Sequence, residues 1–176
     1  SMKPDFKLSA YRGKYVILFF YPLDFTFVCP SEILAFDKAL SVFKAKNCEI
    51  IGVSIDSQFS HWAWKNTPVQ QGGIGNIQYP LVADLDKSIS RQYGVLRDDG
   101  KTERAIFIID KQGIIRYVDV HDIDDQPSND ELRRAIRAVD PEVRDRPELP
   151  EPEPVALPHG GIVMYCTKWC PDCKDA

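Results

Sequence analysis

Two runs of β-branched and aromatic residues near the start of the chain have the length of buried strands. They are Tyr15 to Tyr21 (YVILFFY) and Glu49 to Ile55 (EIIGVSI), and such uninterrupted apolar runs are typical of strands covered on both faces. Between them, apolar residues of Ser31 to Lys46 recur at steps of three and four and predict the buried stripe of a helix: Ile33, Phe36, Leu40 and Phe43. A parallel βαβ unit with a right-handed crossover is therefore expected.

The second half of the chain predicts a hairpin followed by a helix. Ala105 to Asp110 (AIFIID) and Ile114 to Val120 (IIRYVDV) flank a short polar turn, KQG. Ser128 followed by Glu131 is a capping-box pattern for a helix that runs to about Val139. A βαβ unit, a helix and a ββα unit in this order predict a thioredoxin-like fold, an α/β fold with a central mixed sheet flanked by helices.

The composition changes abruptly after Asp140. Six of the thirteen prolines lie between Pro141 and Pro158, together with four glutamates. Because this segment has little to bury, we expect an extended, semi-rigid linker. The chain is therefore divided into a thioredoxin-like domain (residues 1–140), a Pro/Glu-rich linker (141–160) and a C-terminal cysteine segment (161–176).

Charge and cysteine usage narrow the classes of function. The chain has 176 residues and a formal net charge of -4, which gives no electrostatic footprint for nucleic acid or an anionic membrane. No apolar run approaches the roughly 18 residues of a membrane span. Three of the five cysteines crowd near the end, while Cys29 and Cys48 stand alone. This pattern favours a reducing compartment, and with no signal-peptide pattern we expect a cytoplasmic protein.

Cys29 is the strongest candidate for chemistry. It lies between the first predicted strand and the first predicted helix, with Pro30 at the favoured first helical position. Its sulfur would face the unpaired amides of a helix N-terminus, which favours the thiolate. A lone cysteine is more often a small buried hydrophobe, but Pro22 and Thr26 precede it in the pattern Pro-x-x-x-Thr-x-x-Cys. If the substrate is a peroxide, the proline shields the thiolate, the hydroxyl bonds the attacked oxygen and the thiolate attacks.

This constellation resembles the peroxiredoxins, specifically the typical two-cysteine group that includes the bacterial alkyl hydroperoxide reductase subunit. The resemblance covers roughly residues 4–140 and is carried by FFYPLDFTFVCPSEI (19–33), DSQFSHWAWKNTP (56–68), GGIG (72–75), YPLVAD (79–84) and RAIFIIDKQGIIR (104–116). It implies a thioredoxin-like fold of peroxiredoxin type, Cys29 as the peroxidatic cysteine, and Thr26, Pro22 and Arg104 as its pocket. Without the resemblance, Arg104 would be a solvated charge at a strand end. With it, the guanidinium holds the thiolate and peroxide oxygens, and Glu32 orients it.

Two departures from the family pattern concern the residues of the site. The chain reads Gln126-Pro127 where the family carries Gly-Arg, so a second arginine of the Arg104 and Glu32 network is missing. It has no cysteine near Glu148, where the family places its resolving cysteine. Instead, the chain ends in GIVMY followed by CTKWCPDC, which resembles the opening of a glutaredoxin with Cys170 as the nucleophile.

Three interpretations of the C-terminal cysteines, Cys166, Cys170 and Cys173, stay open. The favoured one is a redox site that resolves Cys29, with Cys170 as first choice, Cys173 placed to release the mixed disulfide and Cys166 as the spare. The spacing also occurs at iron-sulfur clusters of radical enzymes, but that chemistry needs a large barrel. A zinc site would have only His159 as a fourth ligand. We therefore expect no metal and no cofactor.

Together these features predict a thiol-dependent peroxidase that forms a sulfenic acid and then a disulfide. Its partners would be a peroxide substrate and a thiol reductant: thioredoxin, glutaredoxin or glutathione. The alternatives are a disulfide oxidoreductase acting through Cys170 and Cys173, and a redox-regulated holdase chaperone. The resemblance implies a homodimer, with a decamer as a further option, and Ile114 to Val120 is the expected seam because an unpaired strand edge invites a partner.

Five further residues are assigned no catalytic role. Trp62 and Trp64 cannot share a helix face, so one is expected to pack against the sheet and the other to serve a subunit contact. Cys48, placed at the end of the first helix, is expected to be packing. His61 and His121 have no motif partner and are assigned no catalysis.

Overall fold

A five-stranded mixed sheet organises the part of the chain that the computed structural model describes, residues 6–26, 28–121 and 128–139. Its strands are β1 (Tyr15–Phe20), β2 (Cys48–Ser54), β3 (Leu81–Ala83), β4 (Arg104–Ile109) and β5 (Ile115–His121). They lie in the order β3-β2-β1-β4-β5. β1, β2 and β3 are parallel, whereas β4 is antiparallel to β1 and β5 to β4. The expected thioredoxin-like fold is confirmed.

Both faces of the sheet are apolar, because successive side chains of β1 point alternately into two hydrophobic clusters. Helices pack against these faces. The helices are α1 (Val28–Ala45), α2 (Gln58–Asn66), α3 (Ser88–Gln92) and α4 (Asn129–Val139), with short 3-10 turns at Leu8–Tyr11 and Val69–Gln71. Ile17 and Phe19 face the cluster that contains α1 and α4 side chains, while Val16, Leu18 and Phe20 face the other. The predicted stripe of α1 is buried throughout.

Two boundaries differ from the sequence-based expectation. α1 begins at Val28, so Cys29 and Pro30 lie inside its first turn rather than before it. Proline is tolerated there because amides of the first turn have no intrahelical partner. Cys48 is buried as expected, but it opens β2 instead of ending the helix.

The hairpin prediction is confirmed, while one strand was missed. β4 and β5 pair around a turn in which Gly113 has φ 81, and the Asp110 carboxylate accepts the backbone N–H groups of Gln112 and Ile114. β3 pairs with β2 over three residues only, too short a run for a periodic signal.

Several sequence-based predictions concern parts of the chain outside the described residues. These are the linker at 141–160, the cysteine segment at 161–176 and the Gln126-Pro127 departure. Within the described helices, none is both long and apolar enough to cross a membrane.

Candidate active site

The site forms where the carboxyl end of β1 meets the start of β4. Phe20, the last residue of β1, pairs with Ala105, because the two strands are antiparallel. This register brings Arg104 to the edge of the sheet from which the chain enters α1. Cys29, in the first turn of that helix, therefore meets a side chain 75 positions further along the chain.

Arg104 contacts both acidic partners of the site with separate nitrogens. Its Nη2 lies 3.5 Å from the Sγ atom of Cys29, and its Nη1 donates a hydrogen bond to Oε2 of Glu32. Cys29 and Glu32 are three residues apart on α1 and so share one helix face. All three residues are only 1% exposed. Arg104 is therefore a buried guanidinium and not the solvated charge that its strand-end position alone suggests.

Pro22 and Thr26 belong to the segment that leads from β1 to α1. Pro22 is buried and Thr26 is half-buried. The Thr26 hydroxyl donates to the carbonyl of Leu23 at 3.0 Å, and the Thr26 side chain acts to lower the pKa of Cys29. Arg104 contacts the same thiol and Glu32 contacts Arg104, while Pro22 is buried on the same segment as Thr26.

Burial dominates the electrostatics of the thiol. It raises the pKa of Cys29, and this outweighs the Arg104 charge and the hydrogen bonds from Thr26 and Leu23, which lower that pKa. The physical reason is that a buried thiolate loses the water that would solvate its charge. That the first helical turn favours the thiolate stays a prediction.

Glu32 is the second perturbed group. Burial raises the pKa of its carboxyl to about 7, against the opposing charges of Arg104 and His121. Its Oε1 atom has no hydrogen-bond partner within the described ranges. Near neutral pH the carboxyl therefore populates both its charged and its neutral form, and it offsets the charge of Arg104 only in part.

A buried polar cluster beside this site was missed from the sequence. Asp24, on the loop before Cys29, is 8% exposed, and His61 on α2 is 4% exposed. His61 Nδ1 lies 2.8 Å from Oδ2 of Asp24. An aspartate inside an otherwise apolar motif was the only signal, and it does not reveal a partner 37 positions away. As predicted, one of Trp62 and Trp64 is packed and the other is not: Trp64 is buried and Trp62 is 55% exposed.

The chemistry available here belongs to the thiol and its neighbours. In the part of the chain covered by the structure, no group of three or more histidine, cysteine, aspartate or glutamate side chains is placed to hold a metal ion. What the arrangement offers is a nucleophilic sulfur, a fixed cation beside it and a hydroxyl in the same pocket.

Known proteins are similar to this chain in sequence and in fold. The model of the AhpC/TSA family matches residues 3–118. Peroxiredoxin-2 of Rattus norvegicus is 53% identical over 135 residues, which make up 76% of this chain and 68% of that protein. The reduced 2-Cys peroxiredoxin of Plasmodium vivax superposes with a TM-score of 0.73 at 51% identity, over 75% of this chain and 69% of that one. Thioredoxin peroxidase I of Plasmodium yoelii has a TM-score of 0.73 at 49% identity, over 81% and 83% of the two chains.

Proposed function

Since this chain belongs to the AhpC/TSA family and is a peroxiredoxin, a thiol-dependent peroxidase, we propose that Cys29 is its peroxidatic cysteine and that hydrogen peroxide and organic hydroperoxides are its substrates. The observation that carries the assignment is the contact of 3.5 Å between Arg104 Nη2 and Cys29 Sγ in a buried site. A guanidinium is a permanent cation with a fork of donors. It stabilises the thiolate and the charge that develops on the leaving oxygen.

The reaction needs only groups of this pocket and the peroxide. The Cys29 thiolate attacks the terminal oxygen of the peroxide, so an S–O bond forms while the O–O bond breaks. The leaving oxygen takes up a proton and departs as water or an alcohol, and the sulfur is left as a sulfenic acid. Thr26 supplies a hydroxyl at the attacked oxygen, Arg104 holds the negative charge, and Pro22 keeps water from the sulfur.

The second half of the cycle is assigned to the C-terminal cysteines. Cys170 attacks the sulfenic acid, water leaves, and the disulfide that forms is opened by Cys173, with Cys166 as the spare thiol. The sequence supports this, because the 25 residues from Pro141 to Tyr165 span roughly 75 Å when extended. Thioredoxin, glutaredoxin or glutathione then returns electrons to the disulfide, and the name of the Plasmodium yoelii relative supports thioredoxin.

The proposal also includes the division of the chain into a domain at 1–140, a linker at 141–160 and a cysteine segment at 161–176, and a cytoplasmic location.

The assembly proposed is a homodimer, with decamers as its further association. Among the described strands, β5 is an outer strand of the sheet. Its apolar residues Ile115, Val118 and Val120 are exposed. An exposed apolar edge of this kind is a ready template for a second copy.

The decisive experiment is to replace Cys29 by serine and follow peroxide consumption by stopped flow. We expect Cys29→Ser to abolish consumption, because serine supplies no thiolate at neutral pH. Cys48→Ser is the matched control, since Cys48 is also buried but pairs with Tyr15 at the opposite end of β1. It should keep the wild-type rate. Consumption that survives Cys29→Ser would refute the assignment.

The Cys-Pro-Asp-Cys sequence favours a second candidate function, disulfide exchange through Cys170 and Cys173. The same variants separate the two. If exchange with a model disulfide persists in Cys29→Ser and disappears in Cys170→Ser, the tail acts as an oxidoreductase in its own right. If exchange is absent from both variants and from the wild type, this candidate is excluded.

A further inference from the structure

A buried polar cluster joins the active-site loop to α2. The Asp24 carboxylate accepts the Tyr21 hydroxyl at 2.8 Å on Oδ1 and the Ser60 hydroxyl at 2.7 Å on Oδ2. His61 Nδ1 lies 2.8 Å from the same Oδ2 atom, and His61 Nε2 lies 3.2 Å from the carbonyl oxygen of Val82 on β3. Two elements, α2 and β3, therefore meet the segment after β1 at one carboxylate and one imidazole.

The two partners of His61 determine its protonation. A carboxylate and a carbonyl can only accept hydrogen bonds, so both ring nitrogens must carry a proton to satisfy them. The doubly protonated ring is the imidazolium cation. Burial lowers the pKa of His61, but the hydrogen bond and charge of Asp24, the Val82 carbonyl and the charge of Asp56 more than offset it and raise that pKa above its ordinary value. The other titratable group against the ring is Tyr21, whose hydroxyl lies 3.4 Å from Nδ1.

The cluster sets the shape of the loop that carries Thr26. The backbone N–H of Asp24 donates to Oδ2 of Asp56 at 2.9 Å, so this residue is held by its backbone as well as by its side chain. The next residue, Phe25, has φ 54, a conformation that is uncommon for a bulky residue and persists only where the surroundings impose it. Its ring lies 5.6 Å from the ring of Trp64 on α2. The contacts that hold the loop therefore come largely from α2 and the segment before it.

We propose that Asp24 and His61 are positioning residues of the peroxidase: their ion pair fixes the loop so that the Thr26 hydroxyl and the Cys29 thiol are aligned for the peroxide. The inference rests on the proposed function and extends it to a pair that touches neither the thiol nor the substrate. It also makes the alignment depend on pH. When His61 loses a proton, one nitrogen must present a lone pair to an oxygen, and the bond to Asp24 or to Val82 is lost.

The test compares second-order rate constants for peroxide between about pH 6 and about pH 9. Asparagine offers one N–H group to Asp24, as a singly protonated ring does, and cannot ionise. We expect the wild type to exceed His61→Asn by about tenfold near pH 6, and this ratio should shrink toward one as His61 deprotonates. A ratio that is independent of pH would show that His61 is merely packing and would overturn the proposal.

Asp24→Asn tests the other half of the pair. It should slow the reaction about as much as His61→Asn does near pH 6, and the double variant should be no slower than either single one, because each breaks the same contact. Additive losses would overturn the pairing. Asp84→Asn is the matched control: Asp84 is also a buried carboxylate, but it caps α3 through Ile89 and Ser90. It should leave the rate unchanged at every pH.

A measurement on the wild type avoids any variant that fails to fold. Nitrogen-15 spectra of the three histidines report how many ring nitrogens are protonated, and we expect both nitrogens of His61 to be protonated near neutral pH. A singly protonated ring would overturn the proposal. If the wild type consumes no peroxide, the proposed function itself fails. If the wild type consumes peroxide but the ratio of its rate constant to that of His61→Asn does not change with pH, only the positioning role is refuted.

Discussion

At the scale of single residues, the reactivity of Cys29 depends on two opposing effects. Burial raises its pKa, and Arg104 is the leading influence that lowers it. Thr26 adds a hydrogen bond in the same direction as the arginine. Because the sulfur is nearly inaccessible, a charge placed 3.5 Å away acts with little screening by water. Arg104 is therefore the residue whose removal should change the thiol most.

Arg104→Ala should slow the reaction with peroxide by at least about tenfold, which corresponds to 1.4 kcal/mol of lost transition-state stabilisation. It should also raise the pKa of Cys29, seen in the pH dependence of alkylation at this cysteine. The control is Arg116→Ala, because Arg116 pairs with Asp110 beside the hairpin turn and not with the thiol. An unchanged rate and alkylation profile in Arg104→Ala would make this arginine purely structural.

Glu32→Gln should lower the pKa of Cys29. The glutamine oxygen still accepts the hydrogen bond from Arg104, but the side chain no longer carries the negative charge that offsets the guanidinium. Alkylation of Cys29 as a function of pH measures the effect. Glu49→Gln is the control, since Glu49 pairs with Lys14 at 2.6 Å and lies at the other end of the sheet. A Cys29 pKa that moves equally in both variants would contradict the expectation.

Glu32→Gln should also change how the free energy of unfolding depends on pH. The pKa of Glu32 is raised to about 7 in the folded protein, so the neutral carboxyl favours the folded state at low pH and this contribution is lost as pH rises toward 7 and above. The loss amounts to roughly 3 kcal/mol. Urea unfolding at about pH 5 and about pH 8 should show a smaller decrease for Glu32→Gln than for the wild type. Parallel curves would show that Glu32 ionises normally.

At the scale of elements, the end of α2 packs against the glycine-rich segment GGIG (72–75). The indole N–H of Trp64 donates to the carbonyl of Gly72 at 2.9 Å, and the N–H of Ile74 donates to the carbonyl of Trp64 at 3.2 Å. Gly73 lies so close to Thr67 that a Cβ atom there would be 1.9 Å from its carbonyl oxygen. The GGIG segment thus packs closely against the C-terminal end of α2, the helix that contacts the active-site loop.

Gly73→Ala should reduce the free energy of unfolding by about 3 kcal/mol, because the new methyl group meets backbone that cannot rotate away. Urea unfolding measures the change. Gly94→Ala is the informative control: its φ is 70 but nothing lies within 4 Å of the new atom, so only the left-handed backbone cost of about 1–2 kcal/mol applies. Equal losses in the two variants would show that the contact at Gly73 relaxes freely.

At the scale of the whole molecule, the sheet leaves one apolar edge open among the described residues. β5 is an outer strand, and Ile115, Val118 and Val120 are between 44% and 55% exposed. Two copies related by a two-fold axis could pair these strands edge to edge and cover the apolar side chains at once. This is the association proposed above.

Val118→Lys should weaken the dimer by at least about tenfold, because a lysine on a strand edge opposes pairing and would be buried near its own copy. Sedimentation velocity over a range of protein concentrations measures the dissociation constant. Leu85→Lys is the control, since Leu85 is 65% exposed but lies on the turn after β3. A dimer that is unaffected by Val118→Lys would place the seam elsewhere.

The sequence by itself was sufficient to predict several elements and part of the active site. Uninterrupted apolar runs predicted β1 and β2, three-to-four spacing predicted α1, and two apolar runs around a polar turn predicted the hairpin, because these patterns reflect which sides of an element face a core. Pro22, Thr26 and Cys29 could be grouped from sequence because eight consecutive residues of one loop and helix start hold all three. The resemblance to peroxiredoxins then added Arg104 and Glu32, which spacing could not have connected.

Only the tertiary structure decided how these groups behave. The register of β4 on β1 brought Arg104 to Cys29, and the packing around them buried both, so that burial has the largest influence on the pKa of the thiol. The partnership of Asp24 with His61 arose in the same way, from a loop and a helix far apart in the chain. Burial and hydrogen bonding depend on atoms that several elements contribute together, so neither can be read from the order of residues along one of them.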